Sequence, residues 1–161
     1  MARRWVINAS PIISLAKIGR IDLLSKLCND AVIPQGVADE IQLGGYDDSA
    51  VSWLREKGQI WIRPIAAIEP NVANWDLGLG ESQVLSWATT HPGYEAILDD
   101  RAARKAAKIL KIPVRGTLAV ILLAKESGYI PLVKPELNNL VQVGLRLSPS
   151  VLAQALALAS E

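Results

Sequence analysis

Apolar residues in this chain come in two patterns. Short continuous runs such as Trp5-Val6-Ile7 and 31–33 suit strands buried on both faces. Between them lie segments whose apolar residues recur every three or four positions, as on amphipathic helices. The order reads as follows. The first strand stops at Asn8-Ala9-Ser10-Pro11, where Ser10 can cap a helix and Pro11 suits its first turn, and that helix ends at Gly19. A second helix spans 21–28, the next strand 31–33, and Pro34 opens a helix over 35–43 that Gly44-Gly45 closes. A helix over 47–57 and a strand over 60–65 follow, then a loop over 69–77. Residues 79–125 read as helix, strand (95–98), helix, strand and helix, the last running from Thr117 to Gly128. Two closing helices, 135–143 and 149–160, end the pattern; the second is apolar almost all round and is expected to be buried, by the domain itself or by a partner. Strands alternating with helices predict one α/β domain with a mainly parallel sheet over residues 1–161.

Composition narrows this little. With 161 residues, half of them hydrophobic and a fifth charged, the chain can build a core. The 17 basic and 16 acidic side chains nearly cancel, so only local clustering can speak for a nucleic-acid partner. Cys28 is alone, which excludes an internal disulfide and fits a reducing, cytoplasmic setting, with the thiol packed as a small hydrophobe. The apolar runs 118–124 and 151–159 are too short to span a bilayer, and no secretory signal is legible, so a soluble protein without membrane partners is expected.

Candidate chemistry gathers at helix and strand ends. In a parallel sheet all carboxyl ends share one edge, which brings Asn8 and the pair Asp99-Asp100 together. Glu40 and Glu81 lie on helices that can lean over that edge. Clustered carboxylates repel unless a cation sits among them, and oxygen ligands without His or Cys favour Mg²⁺ or Mn²⁺. The competing reading is that each acid merely sits at a favourable helix terminus. Arg101, Arg104, Lys105, Lys108 and Lys111 form a basic stripe directly behind, with Ala102, Ala103, Ala106, Ala107, Ile109 and Leu110 on the packed side. The stripe is either a track for a phosphate backbone or a solvated face. His91, the only histidine, lies in a turn; with no GxSxG elbow either, a Ser-His-Asp hydrolase is excluded. Gly78-Leu79-Gly80 lacks the third glycine of a dinucleotide loop.

The segments IPQGVADEI, GLGESQVLSWA, ILDDRAARKAAKIL and PVRGTLAVILLAKESGYI, with the opening VINASPIISLAKIG and the tail KPELNNLVQVGLRLS, resemble a prokaryotic branch of the PIN-domain superfamily. The resemblance implies a three-layer α/β/α sandwich around about five parallel strands, with a helical extension from about residue 134. It also implies a Mg²⁺- or Mn²⁺-dependent endoribonuclease similar to the VapC toxins. Such a protein acts on single-stranded or structured RNA, is held by a small antitoxin, and forms a homodimer. By position, the family's metal and catalytic residues fall on Asn8, Glu40, Glu81, Asp99 and Asp100, with Asp100 the nearer match of the pair. Ser10 and Thr117 match hydroxyls near the metal, beside the nucleic-acid contacts expected from Arg101, Arg104, Lys105 and Lys108. Asn8 departs from the pattern, which has aspartate there: the amide removes a charge and cannot take a proton. The alternative is therefore a degenerate PIN domain that binds RNA or a protein without cutting.

Overall fold

The structure, a computed structural model, describes residues 2–44 and 48–161. Its centre is β1 (Arg4–Ile7), in which Trp5, Val6 and Ile7 are wholly buried, as a continuous apolar run on a two-sided strand requires. It pairs in parallel with β2 (Asp30–Pro34) on one side and β4 (Tyr94–Ile97) on the other. Two short parallel edge strands, β3 (Ile62–Arg63) and β5 (Val114–Arg115), complete the order β3-β2-β1-β4-β5. Helices flank this sheet, giving the expected α/β/α sandwich.

Helix α1 (Ala9–Lys17) follows β1, and the short α2 (Leu23–Leu27) ends at Cys28. Pro34 ends β2 and leads directly into α3 (Gln35–Gln42); α4 (Ser49–Glu56) is capped by Asp48, whose side chain accepts from the Ala50 N–H at 2.8 Å. After a single turn, α5 (Pro70–Ala73), come α6 (Leu79–Thr90), α7 (Arg101–Ile109) and α8 (Thr117–Glu126). The chain closes with α9 (Lys134–Gln142) and α10 (Pro149–Leu158), both packed on α8. No described helix is long and apolar enough to cross a membrane.

Several expectations shift. The 60–65 strand shrinks to two residues, because Gly58–Trp61 forms a 3₁₀ turn held by an edge-on contact of Trp61 with Trp53 at 5.7 Å, and Pro64 has no N–H to extend the ladder. The 69–77 loop contains α5, started by Pro70 and anchored by buried Val72. Ser10 is no cap: Asn8 holds that position, without a side-chain cap bond, and Ser10 lies inside the first turn. Ala102 and Ile109 are exposed rather than packed, so Ala103, Ala106 and Ala107 seat α7, with Leu110 partly buried at its end. Gly45 and Asp47, placed at a helix end and a helix start, lie outside the described residues.

The terminal helix also departs from expectation. Only Ala155 of α10 is buried, whereas Leu158 is 78% exposed. Its end is fastened instead by Glu161, whose carboxylate accepts from Lys125 Nζ at 2.8 Å and from the Val133 and Lys134 N–H groups at 2.7 and 3.0 Å. Lys125 also donates to the Ala159 carbonyl. These contacts, the Lys125 bond foremost, hold the Glu161 carboxyl down to about 2. A carboxyl depressed in the fold contributes stability above its unfolded value, lost as pH falls through the folded one. Protection of α10 amides against hydrogen exchange, corrected for the intrinsic rate at each pH, should therefore fall as pH drops from about 4.5 toward 2, and Glu161→Gln should remove that pH step. A step of the same size in Glu161→Gln would refute the assignment.

Candidate functional site

The strand order places β1 and β4 side by side, with the chain leaving them toward opposite edges of the sheet. Such a switch point opens a crevice at the carboxyl ends of the strands, where open α/β sheets bind their ligands. Asn8 follows β1 there and Asp99 follows β4; the Asn8 N–H donates to the Ile97 carbonyl at 3.0 Å and ties the two ends together.

Three oxygen-bearing side chains meet around Asn8. Its Nδ2 approaches Glu81 Oε1 at 3.5 Å, the outer limit of a hydrogen bond. Its Oδ1 is buried and has no donor, in a residue only 2% exposed. Gly80 makes the room. A Cβ at that position would lie 3.2 Å from Asn8 Oδ1, 3.5 Å from Val37 Cγ2 and 4.0 Å from Glu40 Oε1. Helices α3 and α6 are locked together here, the Gly36 N–H donating to Gln83 Oε1 at 2.7 Å. Glu40 stands four residues from Gly36 and three from Val37, so it shares their face toward α6. Burial, and then the charge of Glu81, push the Glu40 carboxyl above its ordinary value. Gly78, the cap position of α6, is equally constrained, since a Cβ there would fall 2.6 Å from Glu81 Oε2.

Asp99 belongs to a second cluster beside the first. Its Oδ1 accepts from the Thr117 N–H at 2.8 Å, and its Oδ2 from Thr117 Oγ1 at 2.6 Å and Ser10 Oγ at 2.9 Å. Ser10, two residues beyond Asn8 on α1, therefore links the clusters. Asp100, the member of the pair expected to match the family better, turns the other way: it caps α7, accepting from the Ala103 N–H at 2.9 Å, and is exposed. The helix-terminus reading thus describes both acids: Asp100 caps α7, and Asp99 takes the first N–H of α8 along with two hydroxyls. Among the described residues, no three of Asp, Glu, His and Cys gather closely enough to hold a metal by themselves.

The basic stripe leaves this edge along α7. Arg101, Lys105 and Lys108 are exposed, and Arg104 is half-buried with its Nη1 donating to the Leu98 carbonyl at 3.1 Å. Lys111 falls beyond the helix, in a left-handed backbone conformation with φ 61°. Two candidates are remote. His91 precedes β4 and so occupies the opposite edge, stacked on Trp87 at 3.7 Å with its Nδ1 against the Trp87 carbonyl. Burial, with a smaller push from the Asp30 charge, drives the Cys28 thiol up to about 12. At pH 8 its thiolate fraction should be roughly a thousandfold below that of an ordinary cysteine. Ellman's reagent should react with Cys28 far more slowly in native protein than after unfolding; equal rates would contradict its burial.

Sequence reading carried Gly80 and Gly116 within the family segments without the reason for them. Gly80 and Gly116 are both spacers for polar groups: a Cβ on Gly116 would lie 2.7 Å from Arg104 Nη1 and 3.1 Å from Asp99 Oδ1. Their φ angles are ordinary, so only tertiary contacts reveal the need. Arg146 also comes beside Asp99 from the distant segment after α9.

A doubly wound parallel sheet with oxygen side chains converging on its switch point is the architecture of an α/β protein that handles charged ligands. A family model described as PIN domain matches residues 4–161, and the chain belongs to that family. Membership implies a function of the nuclease type on nucleic acid, and PIN domains are in general dependent on a divalent metal. No curated protein matches the sequence. The residues around Gly80 fit such an ion: Asn8 Oδ1 is buried without a donor, Glu40 borders the same space, Glu81 lies against the Asn8 amide, and each of the three can offer an oxygen.

Proposed function

We propose that this chain is a Mg²⁺- or Mn²⁺-dependent endoribonuclease of the toxin type, with Asn8, Glu40 and Glu81 as its ion-holding residues. The observation that carries the reading is the buried, donorless Oδ1 of Asn8, which borders with Glu40 the space left at Gly80, while the same amide meets Glu81 through its nitrogen. A buried acceptor left unpaired costs roughly 1–3 kcal/mol, a cost that a cation coordinated there removes. When bound, the ion supplies a polarised water and neutralises charge on the phosphoryl group. Glu40, the more exposed of the two carboxylates, would take the proton from the attacking water. Asp99 holds the buried Thr117 and fixes Ser10, the partly exposed hydroxyl of the two, at the edge of the substrate path. Arg101, Arg104, Lys105 and Lys108 neutralise backbone phosphates, so affinity for RNA should fall steeply with salt.

The test is cleavage of a mixed RNA substrate with and without Mn²⁺. Glu81→Ala should lower the rate at least about 100-fold, in line with losing a ligand or its close support. Unchanged cleavage by that variant would sink the site assignment.

The neutral Asn8 favours a second reading, a binding module that holds RNA or a protein without cutting. No cleavage by the parent, with RNA binding intact, would select it. The toxin-type reading also carries a small antitoxin and a homodimer, for which the exposed apolar positions Val151 and Leu158 of α10 are the natural seat. Light scattering of Leu158→Lys beside the parent checks the dimer, and a strictly monomeric parent rejects it.

A further inference from the structure

A pocket of about 320 Å³ opens beside Asp99, between the start of α8 and the segment that joins α9 to α10. That volume lies at the lower end of the range for small-ligand sites, about 300–1,000 Å³. Its walls are apolar, with Leu118, Ala119 and Leu122 of α8 facing Leu147 and Val151. Arg104 and Arg146 supply the charge, against Asp99 as the one acidic lining residue. Asp99 is already engaged, both oxygens accepting from Thr117 or Ser10. The guanidinium groups keep donors to spare. Among the described residues neither forms an ion pair; Arg104 gives one bond to a carbonyl, and Arg146 is exposed.

We propose that this pocket is a nucleotide-binding subsite, which receives one unpaired nucleotide next to the phosphate to be cleaved. The inference rests on the ribonuclease reading for its place in the reaction, but not for the binding itself. Apolar walls suit the two faces of a base, and a guanidinium can stack on it while another holds a phosphate. An apolar peptide segment would leave both arginines unneutralised, and a free anion would leave the apolar walls wet. A base with its phosphate satisfies both halves. The subsite makes the enzyme select single-stranded RNA, since a paired base cannot leave its stack without cost. Gly116 belongs to this device, because any side chain there displaces Arg104 or crowds Asp99.

The experiment is a calorimetric titration in EDTA of the full chain with the four 5′-mononucleotides, inorganic phosphate and N-acetyl-leucine amide. Saturable mononucleotide binding is expected, with phosphate weaker by about tenfold or more. Ala119→Phe, which fills the pocket from a partly exposed position, should abolish binding, and Arg146→Gln should weaken it several-fold. Thermal melts confirm that both variants fold. Glu81→Ala should bind as the parent does, so that failure of the nuclease reading and failure of the subsite are separable. Phosphate binding as tight as the nucleotides, retention of binding by Ala119→Phe, or binding of the leucine amide alone would each overturn the proposal. The last would mark the pocket as a seat for a protein side chain.

Discussion

Asn8→Asp will bind Mn²⁺ about 10–100-fold more tightly than the parent and, in metal-free buffer, will melt at a lower temperature. Both effects have one cause. The new carboxylate would sit buried beside Glu81, which the present amide approaches at 3.5 Å, and close to Glu40, whose charged form is already disfavoured. A third negative charge there raises the cost of the empty cluster and the gain from a cation in equal measure. The destabilisation without metal should be about 1–3 kcal/mol. Mn²⁺ should reverse it, because a ligand that binds only the folded state adds stability by mass action. If the parent is a silenced nuclease, RNA cleavage appears with the same substitution. Calorimetry and melts with and without EDTA decide the first part; equal affinity in parent and variant would show that Asn8 lies outside any ion site.

Asp99→Ala will cost about 2–5 kcal/mol of stability, whether or not metal is present. Thr117 is wholly buried, and the substitution leaves its N–H and its hydroxyl without their acceptor. Ser10 loses its partner as well. Asp100→Ala removes only an exposed cap bond and should cost about 1 kcal/mol. Urea denaturation measures both. Similar costs would mean that Asp99 is not the anchor of its edge, and a loss in Asp99→Ala that Mn²⁺ fully restores would make it an ion ligand instead.

The contrast between these neighbours shows where sequence reasoning stops. Two adjacent acids after a strand look alike in one dimension. Backbone direction separates them: Asp100 stands at the cap position of α7, while Asp99 still faces the strand ends and meets Thr117, eighteen residues on. The strands themselves were easier. Trp5-Val6-Ile7 is apolar at every position because helices cover both faces of the sheet, and that pattern is local. The 60–65 run had the same look and kept only Ile62 and Arg63 as strand, because Ile60 and Trp61 joined a 3₁₀ turn in which Trp61 meets Trp53, and Pro64 ends the ladder. The apolar α10 misled for a related reason: hydrophobicity all round says that a helix wants cover, not that this chain provides it.

By itself, the sequence determined the alternation of strands and helices, hence a parallel sheet at whose carboxyl edge Asn8 and the pair Asp99-Asp100 meet, with Glu40 and Glu81 on helices able to lean over it. Periodicity and chirality are local rules, and they suffice for that much. Tertiary structure alone decided how those groups divide. It put Asn8 with Glu40 and Glu81 around the space that Gly80 leaves, and gave Asp99 to Ser10 and Thr117. It also brought Arg146 back to the same edge from beyond α9. Distances of a few ångströms between side chains far apart along the chain depend on how whole helices pack, and no local pattern encodes them.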